Sequence, residues 1–345
     1  MTNRDDERPL IALVPGDCTG IGPEQIARIL SDRRMASVAR LVVVGDRRVV
    51  DRGARQAGVT LDLVEVDSPS AARFDGGAIP IVDLKNIDPD ALPVGEMNPE
   101  SGRLTGQTLA RAVDFAKAGA VDAISFAPLN KQAMYKGGWK FPDEHKMFAH
   151  LLAHVGPFSE MNVLDGQWMT RVTSHVSLRE AIDQISFDSI CRALRLADAT
   201  MRHAGIAKPR IAVAALNPHA GEGGLFGREE IEIIAPAVKA MQAEGIDCKG
   251  PYPSDTVYLK AFAGEFDGVT AMYHDQGQIA TKLKGFNKGV TVTAGLATIF
   301  TTPAHGTAYD IVGQGIADVG AFESAISLAA VLARRQKAGV APGAH

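Results

Sequence analysis

Three of the nine histidines, His175, His219 and His274, each stand just past a short apolar run. Imidazole is a common ligand for transition metals, and three of them leave coordination positions open, which is the layout of a catalytic rather than a structural site. An ion held there would act as a Lewis acid on a bound oxygen. Two acids lie close in sequence: Asp275 adjoins His274, and Asp255 sits in Pro253-Ser254-Asp255-Thr256. Either has the chemistry to orient a ligand or to take a proton from an alcohol. Lys282 could neutralise an anionic substrate. The bland alternatives are a loop or core role for each histidine, a capped turn for Asp255 and a solvated surface for Lys282. The histidines match no local motif such as HExxH, so only the fold can assemble them. The same three imidazoles would equally activate water. A metal-dependent hydrolase or lyase therefore stands beside a dehydrogenase, and a module that kept the fold and lost catalysis is a third class.

Apolar or β-branched runs at 10–14, 41–44, 123–126, 171–173, 211–216 and 268–273 alternate with longer helical patterns. That alternation predicts βαβ units and a largely parallel sheet. In such sheets ligands sit outside the carboxyl ends of strands, where all three histidines fall. Gly22-Pro23-Glu24 marks a helix start, with proline in the first turn and an acid at the positive end. Ser177-Leu178-Arg179-Glu180 fits a capping box opening the helix after His175. The Pro/Gly-rich stretch 91–102 reads as a loop, followed by a helix over 105–118. The glycines of 16–22 match neither a phosphate loop nor GxGxxG and suit a tight turn. A second glycine-rich stretch, 305–315, puts small residues and Asp310 where a backbone could closely approach a nucleotide.

The 345 residues suffice for two domains, and the 46% hydrophobic and 22% charged shares fit a globular α/β chain. A formal net charge of −4 offers no basic stripe for nucleic acid. Three scattered cysteines, Cys18, Cys191 and Cys248, form neither a disulfide framework nor a thiolate zinc site and suit a reducing cytoplasm. The first nine residues lack the apolar core of a secretory signal, and no apolar run is long enough to span a membrane.

The segments Pro15-Gly16-Asp17-Cys18-Thr19-Gly20-Ile21-Gly22-Pro23-Glu24, Ala127-Pro128-Leu129-Asn130-Lys131, Thr173-Ser174-His175, Asn217-Pro218-His219-Ala220-Gly221-Glu222, Met272-Tyr273-His274-Asp275-Gln276-Gly277 and His305-Gly306-Thr307-Ala308 are specific together. Through them nearly the whole chain resembles the 4-hydroxythreonine-4-phosphate dehydrogenase family of pyridoxine biosynthesis. The resemblance implies an isocitrate/isopropylmalate dehydrogenase-like, two-domain α/β/α fold with a mostly parallel sheet and the active site in the interdomain cleft. It implies a nucleotide-binding domain of 1–131 with 291–345, and a metal, substrate and dimerisation domain of 132–290. It also implies a cytoplasmic homodimer with active sites at the subunit interface. Each site would hold one divalent metal (Zn, Co, Mg or Mn) on His175, His219 and His274, not all from one subunit. NAD or NADP would lie along His305, Gly306, Thr307, Ala308 and Asp310. The reaction implied is oxidation of a secondary alcohol on a small hydroxy acid, with decarboxylation, and Asp255, Asp275 and Lys282 around the reacting carbon.

Two departures bear on the substrate. Where the family carries Gly-His-Thr-Glu, this chain has Asp143-Glu144-His145-Lys146 after a one-residue insertion, so His145 aligns and Lys146 replaces the threonine. The family's asparagine and arginine, which help hold the substrate phosphate, correspond to Thr291 and Phe300. A phenyl ring cannot replace a charged bidentate donor. Lys146 is then expected to meet a phosphate or carboxylate, and Phe300 to pack on a ring or alkyl chain. An unphosphorylated hydroxy acid or an aromatic cis-dihydrodiol carboxylate becomes the alternative substrate.

Overall fold

The computed structural model describes residues 7–285 and 288–339. Twelve strands occur among them. They are β1 (Leu10–Val14), β2 (Arg40–Gly45), β3 (Leu63–Glu65), β4 (Ile79–Asp83), β5 (Ala123–Phe126), β6 (Ser159–Leu164), β7 (Gln167–Arg171), β8 (Ile211–Ala214), β9 (Cys248–Tyr252), β10 (Gly268–Ala271), β11 (Val290–Ala294) and β12 (Ile299–Pro303). The chain divides into two compact units, one running to Val155 and resuming over Leu296–Ala338, the other spanning Gly156–Gly295. The first boundary falls later than 131/132 because the helices Lys131–Lys136 and Glu144–Leu151 pack against the helix Pro99–Lys117, and the second falls later than 290/291 because β11 pairs with β6.

In the first unit the strand order is β3-β4-β2-β1-β5-β12, every pairing parallel. The residues of β1, β5 and β12 are buried without alternation, as expected of a parallel sheet covered by helices. The helix Gly320–Lys337 packs on β12 and β5 through its alanine-rich face, and Pro99–Lys117 packs on β1, β2 and β5. The latter helix begins six residues before the expected 105, inside the stretch that reads as a loop. Asn98 caps it, accepting from the backbone N–H of Glu100 and Ser101, and Pro99 fits a first turn that needs no amide donor.

In the second unit the order is β11-β6-β7-β10-β8-β9. Here β7, β10, β8 and β9 run parallel, while β6 is antiparallel to both β7 and β11. The β6–β7 hairpin turns on Asp165-Gly166, both at positive φ, the pair that a two-residue turn of matching twist requires. Strand β7 lies earlier than the expected 171–173, ending at Arg171, although Val172 and Thr173 still donate to Ala271 and Met272. Met169, Ala212, Val257 and Val269 form the core between this sheet and the helix Ser254–Phe262. No helix among the described residues is long and apolar enough to cross a membrane.

Candidate active site

The carboxyl ends of β7 and β10 deliver two of the three histidines to one place. His175 follows β7 with φ of +48°, a left-handed conformation that costs a residue with a Cβ and recurs at functional sites. His274 opens the helix His274–Gly285 directly after β10. Their rings lie 5.5 Å apart between centroids, and with Thr173, Ser174, Tyr273 and Asp275 they line a hollow of about 180 Å³. Asp275 Oδ1 stands 2.7 Å from His274 Nδ1, so the carboxylate fixes that ring and leaves Nε2 for a ligand.

Below His175 lies a polar network that sequence reasoning missed. Glu160 Oε2 is 3.8 Å from His175 Nε2, and Glu160 Oε1 pairs with Arg171 at 2.8 Å. Arg171 also donates to Asn162 Oδ1, which accepts from Gln278 as well, while Asn162 Nδ2 donates to Thr291 Oγ1 at 2.9 Å. Asn162, Arg171 and Thr291 are all buried. Thr291 thus meets a protein amide in its strand. Charged and amide side chains inside a strand break the apolar pattern by which strands are read, which is why β6, with Glu160 and Asn162, escaped notice; β11, Val-Thr-Val-Thr-Ala, carries the β-branched alternation of a strand.

Asp255, on the exposed side of the helix Ser254–Phe262, and Asp275 both line a more open depression of about 550 Å³ with Tyr258, Tyr273 and Gln276. Burial pushes the Tyr258 hydroxyl well above its ordinary pKa, so it is a neutral donor at this wall. Lys282 is exposed on the helix His274–Gly285, seven residues beyond Asp275 and therefore on the same face. His219 follows β8 on an exposed turn. Among the described residues of one chain no group of three His, Cys, Asp or Glu side chains is close enough to hold a metal, so His219 does not join His175 and His274 within a single copy.

The remaining expected site residues belong to the first unit. His145 is buried on the helix Glu144–Leu151, with Nε2 3.6 Å from Glu144 Oε1, and Glu144 in turn pairs with Lys131 at 3.0 Å. Asp143 caps this helix by accepting from the Lys146 N–H, and the Lys146 side chain is exposed. Phe300 corrects an expectation. It is fully buried, stacked on Phe148 at 4.0 Å and 6° between planes, with Phe126 edge-on to Phe148, so its ring packs on the core and not on a ligand.

The segment 305–310 is braced by the 16–22 loop. Ile21 N donates to Thr307 O, and a Cβ on Gly20 would lie 2.9 Å from the Thr307 Cβ, so only glycine allows this approach. Tyr309 donates to buried Asp17, which also accepts from Thr19 and Ser101. Burial and this carboxylate push the Tyr309 hydroxyl up to about 12, so it stays a proton donor to Asp17. His305 meets Gln25 at 3.3 Å, Ala308 is left-handed at φ +44°, and Gly306 and Asp310 are exposed.

Parallel strands that end in paired imidazoles and a carboxylate have the layout of an α/β enzyme. Residues 37–329 match the family described as pyridoxal phosphate biosynthetic protein PdxA, and the chain belongs to it. It is 46% identical over 334 residues to a Rhizobium meliloti (strain 1021) protein provisionally named 4-hydroxythreonine-4-phosphate dehydrogenase 2, with 96% of each covered. It is 42% identical over 332 residues to the D-threonate 4-phosphate dehydrogenase of Cupriavidus necator, covering 96% of this chain and 99% of that one. The crystal structure of a 4-hydroxythreonine-4-phosphate dehydrogenase from Klebsiella pneumoniae superposes with a TM-score of 0.81 at 40% identity, over 94% of this chain and 99% of that one. The chain is accordingly a dehydrogenase acting on CH–OH groups, of a family that uses a nicotinamide dinucleotide and a divalent metal.

Proposed function

We propose that this dehydrogenase oxidises the secondary alcohol of a small hydroxy acid, phosphorylated as in the names of its relatives, with NAD or NADP, and that the resulting keto acid loses carbon dioxide. The observation that carries the reading is the pairing of His175 and His274 beside Asp275 at two adjacent strand ends. Two imidazoles with carboxylates behind them suit a borderline divalent cation such as zinc or cobalt, and manganese or magnesium fit the oxygen ligands a substrate would add. His219 completes the set in an assembled homodimer. An ion held by these residues would supply Lewis acidity toward the alcohol, and a bound nicotinamide would supply the hydride acceptor.

The chain's own residues supply the rest. Asp275 holds the His274 ring, and Asp255 and Asp275 offer a carboxylate to take the hydroxyl proton. Lys282, on the same helix face, neutralises the substrate carboxylate. Lys282→Met should raise KM for the acid by roughly tenfold, the worth of a hydrogen bond to a charged group, with a smaller change in kcat. Equal KM in both proteins would remove Lys282 from the site. In the first unit, His145 and Lys146 contribute to the substrate, and the segment His305 to Asp310 receives the dinucleotide against the rigid 16–22 loop.

A second reading, an unphosphorylated hydroxy acid or diol, is favoured by one observation: the position of the family's phosphate-binding arginine is an apolar ring locked in the core. Turnover of D-threonate 4-phosphate, 4-hydroxythreonine 4-phosphate and their unphosphorylated counterparts, each with NAD+ and NADP+, decides between the two. The first reading expects kcat/KM higher for the phosphate esters. Preference for the free acids supports the second, and no nicotinamide reduction with any of them would sink both.

A further inference from the structure

The turn that presents His219 is wound the wrong way. After β8, His219, Ala220, Gly221, Glu222 and Gly223 all have left-handed dihedrals, with φ of 52°, 54°, 78°, 42° and 65°. For L-residues this conformation costs roughly 1–2 kcal/mol each and is visited as single residues, not as runs. Three of the five carry a Cβ. A strained run persists only where its surroundings over-determine it, so something must hold the turn.

One buried carboxylate stands where such a hold is needed. Glu230 is 2% exposed and begins a π-helical turn, Glu230–Ile234. Its Oε1 accepts from the backbone N–H of Leu216 at 2.9 Å and of Asn217 at 2.7 Å, and its Oε2 accepts from Asn217 Nδ2 at 3.0 Å. The Asn217 amide is shared with Glu229 Oε2 at 2.7 Å. Leu216 and Asn217, with only Pro218 between them and the left-handed run, are therefore tied by three donors to one acceptor group. Glycine at 221 is also required by this carboxylate: a Cβ there would sit 2.7 Å from Glu230 Oε2. The π-turn fits the purpose, since such widened turns are frequent at functional sites and this one packs against the loop.

We infer that Glu230 is the positioning residue for His219, holding the left-handed 218–224 turn wound so that the imidazole is presented to the metal. The inference rests on His219 being a metal ligand. Glutamine at 230 keeps only part of this clamp: its one amide oxygen still accepts the Leu216 and Asn217 backbone N–H, but its NH2 then faces the Asn217 NH2, which Glu229 holds as a donor.

The test is titration of the full-length apoprotein with Co(II), read by its ligand-field absorption, alongside thermal melting. Glu230→Gln should weaken Co(II) binding by roughly tenfold or more, as removing the support of a metal ligand does. Gly221→Ala, which displaces the same carboxylate, should act in the same direction and decides the matter if Glu230→Gln does not fold. Asp267→Asn is the control: Asp267 clamps the Arg210 backbone N–H at 2.8 Å just before β10, and its loss should lower the melting temperature while leaving Co(II) affinity at the wild-type value. His219→Ala should bind Co(II) as weakly as Glu230→Gln or more so. Wild-type affinity in both Glu230→Gln and Gly221→Ala, with His219→Ala weakened, overturns the role of Glu230 alone. Wild-type affinity in His219→Ala overturns the ligand assignment beneath it, and equal weakening in Asp267→Asn reduces the effect to general destabilisation.

Discussion

His274→Ala is expected to lower kcat/KM by about three orders of magnitude, since a bound cation supplies several kcal/mol of charge stabilisation and each 1.36 kcal/mol is a factor of ten. His274 combines three properties that His175 and His219 share only in part. It stands three residues past the buried end of β10, a neighbouring carboxylate fixes its ring, and it faces a second imidazole across a hollow. The melting temperature of the apoprotein should barely move, because the imidazole is only partly buried and lines an open hollow. Asp275→Asn should cost one to two orders of magnitude by releasing the ring. Steady-state turnover with added Co(II) or Mn(II), set beside thermal melts, checks both. Wild-type turnover in His274→Ala with the metal in excess would remove the metal from His274; a large fall in melting temperature would instead make the residue structural.

The strand ends that carry these histidines were legible because a parallel sheet makes two demands at once. Its strands must be short apolar runs, and its ligands must lie just past them. So β1, β5, β8 and β10 stand where their apolar runs place them, and His175 and His274 meet. What escaped has specific causes. The helix Pro99–Lys117 was hidden by proline and glycine, which sequence reading treats as breakers although Asn98-Pro99 is a helix start. Strand β6 was hidden by Glu160 and Asn162, polar residues whose contacts with Arg171 and Thr291 let them sit inside the sheet, whereas β11, Val-Thr-Val-Thr-Ala, has the alternation of a strand and was there to be read. The Asp165-Gly166 turn was the available signal for the β6–β7 hairpin. No periodicity reveals that Glu230, eleven residues beyond His219, reaches back to brace its turn, since that contact depends on a left-handed run and a π-turn.

Phe300→Arg, which restores the residue the family uses for a phosphate, is expected to destabilise the chain by several kcal/mol and not to create a phosphate site. A guanidinium in place of the ring would enter a site that is 0% exposed and faced by Phe148, taking a charge out of water. It would also forfeit the stacked contact and the ring's buried surface, so that even Phe300→Ala should cost about 3–5 kcal/mol. Phe300→Leu, which keeps most of the apolar volume, should cost less than either. Equilibrium urea unfolding orders the three, and inhibition by inorganic phosphate reads out any new anion site. The ordering separates two ideas about position 300. If the ring were a substrate wall, the arginine would be tolerated and phosphate would inhibit more strongly. If it is a core residue, the arginine unfolds the unit before it can bind anything. A Phe300→Arg protein that unfolds at the wild-type urea midpoint and gains phosphate inhibition would show that Phe148 yields the space, and that this branch departed from its relatives at the substrate and not in its packing.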